Sequence, residues 1–179
     1  MSKLDIFFII CSIVAGLGAI LVYRHDRRNG RKMIRITEIS EIVGIFGSVD
    51  KLKRDIRSEW DVDQLIREGI PYPAFKHFQE KFAPMGFELD TFMGLESALK
   101  ENNHEGFRLP SIASDRLYRL ARLFIIATKV LEDEKSGAEW LKKPQWGLGG
   151  RIPAEVAFTE IGAKEVENLL GRIEHSVLA

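Results

Sequence analysis

The stretch WLKKPQWGLGGRIPAEV, Trp140–Val156, holds two prolines, three glycines and two tryptophans in seventeen residues. The chain on either side of it is strongly periodic. Upstream, Leu117, Leu120, Ala121, Phe124, Ala127 and Leu131 recur three or four residues apart, the spacing of one buried helix face. This predicts a long helix over Asp115–Glu134 with Ser114 as its cap. Glu139–Lys142 continues in a helix that must end near Lys143, because the residue before Pro144 is driven out of the helical region. Downstream, Pro153 suits the first position of a short helix. Thr159 suits the cap of a last helix, with Glu160 in its first turn. Ala163, Val166, Leu170, Ile173 and Val177 make the buried line of that helix. The connector is therefore a rigid interruption in a helical chain.

The same pattern extends toward the N-terminus. Ile36–Gly47 reads as a short apolar helix and Asp50–Trp60 as a charged one. Asp61 is placed to cap Val62–Gly69, and Pro71 and Pro73 to break the chain. Ala74–Ala83 is helical, with Phe75, Phe78 and Phe82 on one face. After a turn at Pro84–Gly86, Glu88–Gly94 and Glu96–His104 read as two short helices, and Gly106–Pro110 as a loop. No useful run alternates apolar and polar residues, and no internal repeat is visible. The expected class is all-α, a helical bundle. Its expected segments are residues 1–32, a helical domain over 33–112, and the long helix with the C-terminal region over 113–179.

The 179 residues suffice for one domain or two small ones. Lysine plus arginine balances aspartate plus glutamate at 26 each. The balance is uneven, because residues 1–35 carry seven basic and two acidic residues. The remainder is therefore net acidic by five, which repels DNA phosphate except at a local basic patch. Cys11 stands alone, excluding an intramolecular disulfide and any multi-cysteine zinc site. Ile6–Tyr23 is eighteen residues without a formal charge, roughly 27 Å as a helix, close to the ~30 Å hydrocarbon core of a bilayer. Arg24, Arg27, Arg28, Arg31 and Lys32 follow it, which would leave the bulk of the chain on the cytoplasmic side. A second reading makes residues 1–32 an extension upstream of a soluble domain opening at Met33.

Signatures of catalysis are missing. His25, His77, His104 and His175 are scattered, none at metal-ligand spacing. Gly147–Gly150 is no phosphate loop, because no Lys-Ser or Lys-Thr follows and no strand precedes it. No nucleophile elbow is present, and the carboxylates lie on solvated helix faces. No enzyme, metal or cofactor is expected. The connector is then either plain packing between helices, the reading that best suits Trp140 and Leu141, or a preformed recognition surface. Trp146, Leu148, Gly149 and Gly150 are the candidates for such a surface, since prolines and glycines hold a loop in one shape before anything binds.

The C-terminal residues resemble the toxin-binding domain of the Xre/MbcA/ParS antitoxins. The resemblance is carried by Trp140-Leu141, Pro144, Leu148-Gly149-Gly150, Pro153, Thr159, Gly162, Val166 and Leu170-Gly171-Arg172-Ile173. A looser similarity covers Leu65–Phe75 and Ser114–Phe124, so that it reaches from about Ile36 to Ala179 and omits the apolar N-terminus. The resemblance implies a type II toxin–antitoxin partner, a RES-domain toxin that consumes NAD⁺. It implies that the tail Arg172, Ile173, Glu174, His175, Ser176, Val177, Leu178 and Ala179 lies at the toxin's active-site cleft. It also implies a homodimer and an Xre-like helix-turn-helix on operator DNA, here Glu88–Gly94 and Glu96–His104. Lys100, Asn102, Asn103, His104 and Arg108 would contact the DNA. Asparagine can read adenine in the major groove, but this helix also carries Glu96 and Glu101, whereas members of the family commonly place several arginines in it. The competing functions are a DNA-binding regulator whose C-terminal domain only dimerises, and a membrane-tethered adaptor.

Overall fold

The computed structural model describes residues 36–102 and 104–177. Ile6–Tyr23 and its basic flank lie outside these residues, as do Asn103, Leu178 and Ala179. The described residues form one compact unit, and they are all-α. Among the described residues no helix is long and apolar enough to cross a membrane.

Helix α1, Ile36–Ile45, opens the described chain and α2, Ser48–Leu52, follows it. The charged helix expected over Asp50–Trp60 does not form as one piece. Lys53 turns left-handed at φ 57°, and α3 begins only at Glu59. Its cap is Ser58, not Asp61. The Asp61 N–H donates to Ser58 Oγ at 3.2 Å, and the Ser58 N–H returns the bond to the Asp61 carboxylate at 2.9 Å. This reciprocal box satisfies two backbone donors at once, more than a lone aspartate cap would. Helix α3 runs to Glu68 and α4 covers Tyr72–Phe82. Pro71 precedes α4 and Pro73 sits in its first turn, where a missing N–H costs nothing. The two prolines start the helix where the sequence suggested a break. After a 3-10 turn at Ala83–Met85 come α5, Leu89–Met93, and α6, Glu96–Glu101.

Helix α7, Ser111–Leu131, is the axis of the fold, touching α1, α3, α5, α8 and α10. It begins after Pro110, so Ser114 lies inside the helix and not at its cap. Ser114 is buried, and its hydroxyl accepts the Ile70 N–H at 2.8 Å. Beside it Leu109 N–H bonds Ile70 O and Tyr72 N–H bonds Phe107 O, both at 2.9 Å. A serine that resembles a local cap thus joins segments far apart in sequence. Glu132, left-handed at φ 58°, ends α7 before Asp133 caps α8, Glu134–Lys142. Gly137 lets α8 close on α7, because a Cβ there would lie 2.9 Å from the Thr128 backbone nitrogen. Phe46, Phe78, Phe82, Phe87, Phe92 and Phe158 form a chain of ring contacts with centroids 4.1–6.2 Å apart. That chain ties the end of α1 to the segment before the last helix.

Candidate functional site

Between α8 and α9, Pro153–Val156, the connector forms a closed loop. Lys143 is extended ahead of Pro144. Gln145 and Arg151 then pair back to back, the Gln145 N–H donating to Arg151 O at 3.1 Å and the Gly150 N–H to Gln145 O at 3.0 Å. Within that bracket Trp146–Leu148 makes one 3-10 turn, and Gly149 and Gly150 follow at φ 67° and 78°. Two consecutive left-handed residues let the chain reverse in so few positions, and glycine adopts that conformation without strain. The Gln145 side-chain amide donates to the carbonyls of Trp140 and Lys143, closing the end of α8.

The loop is fixed to α10, Glu160–Val177, at three points. Leu148 is only 1% exposed and sits in the core. Gly147 lies so close to α10 that a Cβ would come within 2.4 Å of Leu169 Cδ1. Arg151 donates to Leu148 O at 2.8 Å and to the Glu165 carboxylate at 2.7 Å. As expected, Thr159 accepts the Gly162 N–H, at 3.1 Å. Gly162 itself meets the Val156 carbonyl, which a Cβ would approach to 1.8 Å. A half-buried Arg122–Glu167 pair at 2.5 Å clasps α7 to α10, with Glu160 3.7 Å away. Burial alone disfavours the Arg122 charge, but the two glutamates outweigh it and the net shift is upward.

On this frame Trp146 stands 97% exposed, its indole almost wholly in water. The expectation for Leu148 needs correction. It is an internal anchor of the loop and not part of its surface, because two positions along a 3-10 turn of three residues per turn point to different sides. Trp140 and Leu141 pack inward, as the packing reading had them. Gly149 and Gly150 lie at the surface. In the tail, Ile173 packs against the core, Glu174 is half-buried, and Arg172 and His175 are exposed. The side chains of Ser176 and Val177 lie outside the described residues. Ile161, which no sequence pattern singled out, is 85% exposed on the first turn of α10.

The proposed DNA contacts are placed differently. Helices α5 and α6 span five and six residues, and α6 stops at Glu101 instead of continuing to His104. The Asn102 amide donates to Ala98 O at 3.2 Å, and the Arg108 guanidinium to Gly69 O at 2.7 Å. Lys100 and His104 are exposed. Glu88, Glu101 and Glu105 are exposed in the same stretch.

The pattern that builds the loop is shared with known proteins. The model of the antitoxin Xre/MbcA/ParS C-terminal toxin-binding domain matches residues 127–175. The chain is 39% identical over 67 residues to an Antitoxin Xre of Photorhabdus laumondii, a match covering 37% of this chain and 45% of that protein. It is 36% identical over 84 residues to an Antitoxin Xre of Yersinia enterocolitica, covering 46% and 56%. An Antitoxin Xre of Pseudomonas putida is 25% identical over 119 residues, covering 66% and 74%. The chain thus spans about half the length of the first two relatives. The exposed tryptophan and its bracketing pair both fall inside residues 127–175, the part of the chain that is similar to the antitoxin Xre/MbcA/ParS C-terminal toxin-binding domain.

Proposed function

We propose that this protein is an antitoxin that binds its toxin through the Trp146 loop and the C-terminal end of α10. The toxin of this reading is a RES-domain enzyme that consumes NAD⁺. The tail Arg172–Ala179, apart from Ile173, which stays packed on this chain's own core, enters its cleft and excludes the nucleotide, so the chemistry belongs to the partner and this chain needs no reactive group. The observation that carries the reading is Trp146, 97% exposed on a loop pinned at three points. A fold gains nothing by holding an indole in water, whereas a tryptophan at the centre of an interface is a frequent hot spot.

The tail is tested by a chain ending at Ile173, which keeps the last side chain packed on the core. This truncated chain is expected to fold and still to bind the toxin, while co-expressing cells lose NAD⁺ and stop growing. Full protection by it would reject occlusion by the tail. Operator binding from a homodimer, through Lys100, Asn102, Asn103, His104 and Arg108, has weaker support. The Asn102 and Arg108 side chains are engaged with the protein's own carbonyls. The neighbouring glutamates also oppose the phosphate anchoring that positions a helix on DNA.

A further inference from the structure

Outside the toxin-binding loop, a cleft of about 720 Å³ opens between the end of α4, α5 and the α8–α9 corner. Its floor is apolar, formed by Phe87, Phe92, Ile152 and Ala154. Four carboxylates also line it, those of Glu80, Glu88, Asp90 and Glu155. None of the four takes part in an ion pair among the described residues, although the same structure pairs most of its other surface carboxylates. The one cation in the lining is Lys142, and its charge is answered by Glu139 at 2.8 Å. The four charges therefore stand uncompensated around an aromatic floor.

One of the chain's own cations already lies against this lining. The Lys142 ammonium bonds Met85 O and lies 5.7 Å from the centre of the Phe87 ring. Outside the lining, the Arg116 guanidinium lies 4.9 Å from the centre of Phe158, a ring that meets the cleft's Phe92 edge-on at 4.9 Å. Aromatic faces attract guanidinium groups, and more strongly when water is excluded. An arginine has an apolar stem to lie on such a floor and a planar fork to meet carboxylates two at a time.

We propose that this cleft is a second docking site, taking an arginine-bearing segment of a partner protein, with the arginine stem on Phe87 and Phe92 and its guanidinium among Glu80, Glu88, Asp90 and Glu155. The cleft draws Lys142, Ile152, Ala154 and Glu155 from the matched domain but does not include Trp146, and its test uses no toxin. Charge complementarity selects the occupant. A nucleic acid is repelled by the four carboxylates, and a purely apolar segment would leave them unanswered.

The probe is the blocked peptide acetyl-Leu-Arg-Leu-Arg-amide, titrated into the full-length ¹⁵N-labelled chain. Saturable shifts confined to the amides around the cleft are expected. The citrulline analogue, of the same shape without charge, and the E80Q/E88Q chain should each weaken binding tenfold or more. Both substituted side chains are exposed, and an unchanged thermal transition would confirm that the fold survives. As a second variant, A83K places a tethered cation at the rim and should compete with the peptide. Shifts that fail to saturate, that scatter over the surface, or that citrulline reproduces would overturn the proposal. Spermidine giving the same shifts at the same concentration would reduce the cleft to a general cation trap and also overturn it. A dimer broken by E80Q/E88Q would assign the cleft to a second copy of the chain instead.

Discussion

Replacing Trp146 by alanine separates folding from recognition more cleanly than any other single change in the molecule. The side chain is 97% exposed, and the hydrogen bonds that hold the loop belong to Gln145, the loop backbone and Arg151. Folding should therefore change by no more than about 0.5 kcal/mol, less than about 2 °C in Tm for a chain of this size. The effect on binding is of another order. A tryptophan can bury about 200 Å², and at about 25 cal/mol per Å² the ceiling is about 5 kcal/mol. Desolvation and ordering of the partner reduce that figure. About 2–4 kcal/mol is expected, roughly 30- to 1,000-fold in Kd. Titration calorimetry of the W146A chain against the cognate toxin, with a thermal melt of each protein alone, reads both quantities. A Kd within threefold of the parent would remove Trp146 from the interface. A Tm lower by more than about 5 °C would instead make it a structural residue and refute the account of the loop.

The same glycine-to-alanine change should have opposite signs at two positions on α10. G162A drives a Cβ into the Val156 carbonyl and should cost about 3 kcal/mol, whereas Gly171 has open space around it and G171A should stabilise by about 0.5–1 kcal/mol; paired thermal melts check both. L148A empties a site that is 1% exposed and should cost about 2–5 kcal/mol, lowering Tm where W146A does not. The Glu139 carboxyl, hydrogen-bonded by Lys142 and Lys143, is held down from 4.5 to about 2. A depressed carboxylate contributes stability above its unfolded pKa, so this contribution is complete above about pH 4.5 and disappears as pH falls toward 2. A ¹³C titration placing the Glu139 midpoint near 4.5 would show that the Lys142 and Lys143 contacts do not persist in solution.

What could be read from the sequence was what local periodicity encodes. The stripe Leu117, Leu120, Ala121, Phe124 and Ala127 gave α7, and Ala163, Val166 and Leu170 gave α10, because repeated spacing survives errors at single residues. The misreadings fall where a side chain's bonding partner is not the one its position suggests. Ser114 looks like a cap, yet it bonds Ile70, 44 residues away. Asp61 looks like a cap, yet Ser58 takes that position and Asp61 completes the box. In the loop the residue types were legible but not their direction. Trp146 and Leu148 are both large and apolar, and only packing against Leu169 and the core decides which one turns inward. The acid-lined cleft left no sequence signal, since its four carboxylates come from separated segments and meet only in the folded chain.

The way the loop is closed explains why so exposed an indole is compatible with tight binding. A flexible segment of seven residues would lose about 1–2 kcal/mol per residue in backbone entropy on docking, and that loss would come out of the affinity. Here the ordering is complete before a partner arrives. The N–H groups of Gln145, Leu148, Gly149, Gly150 and Arg151 all find acceptors within the loop. Leu148 holds it to the core, and Arg151 ties it to Glu165 on α10. Pro144 and Pro153 narrow the unfolded ensemble as well. Free energy from burying Trp146 is then available to binding with little deduction for loop ordering. The glycines are required because they let the bracket close, and Leu148 because it fixes the bracket in place. Within the loop only Trp146 needs to touch the partner, and a rigid anchor of this kind predicts that the affinity change on substituting it appears mainly in the dissociation rate.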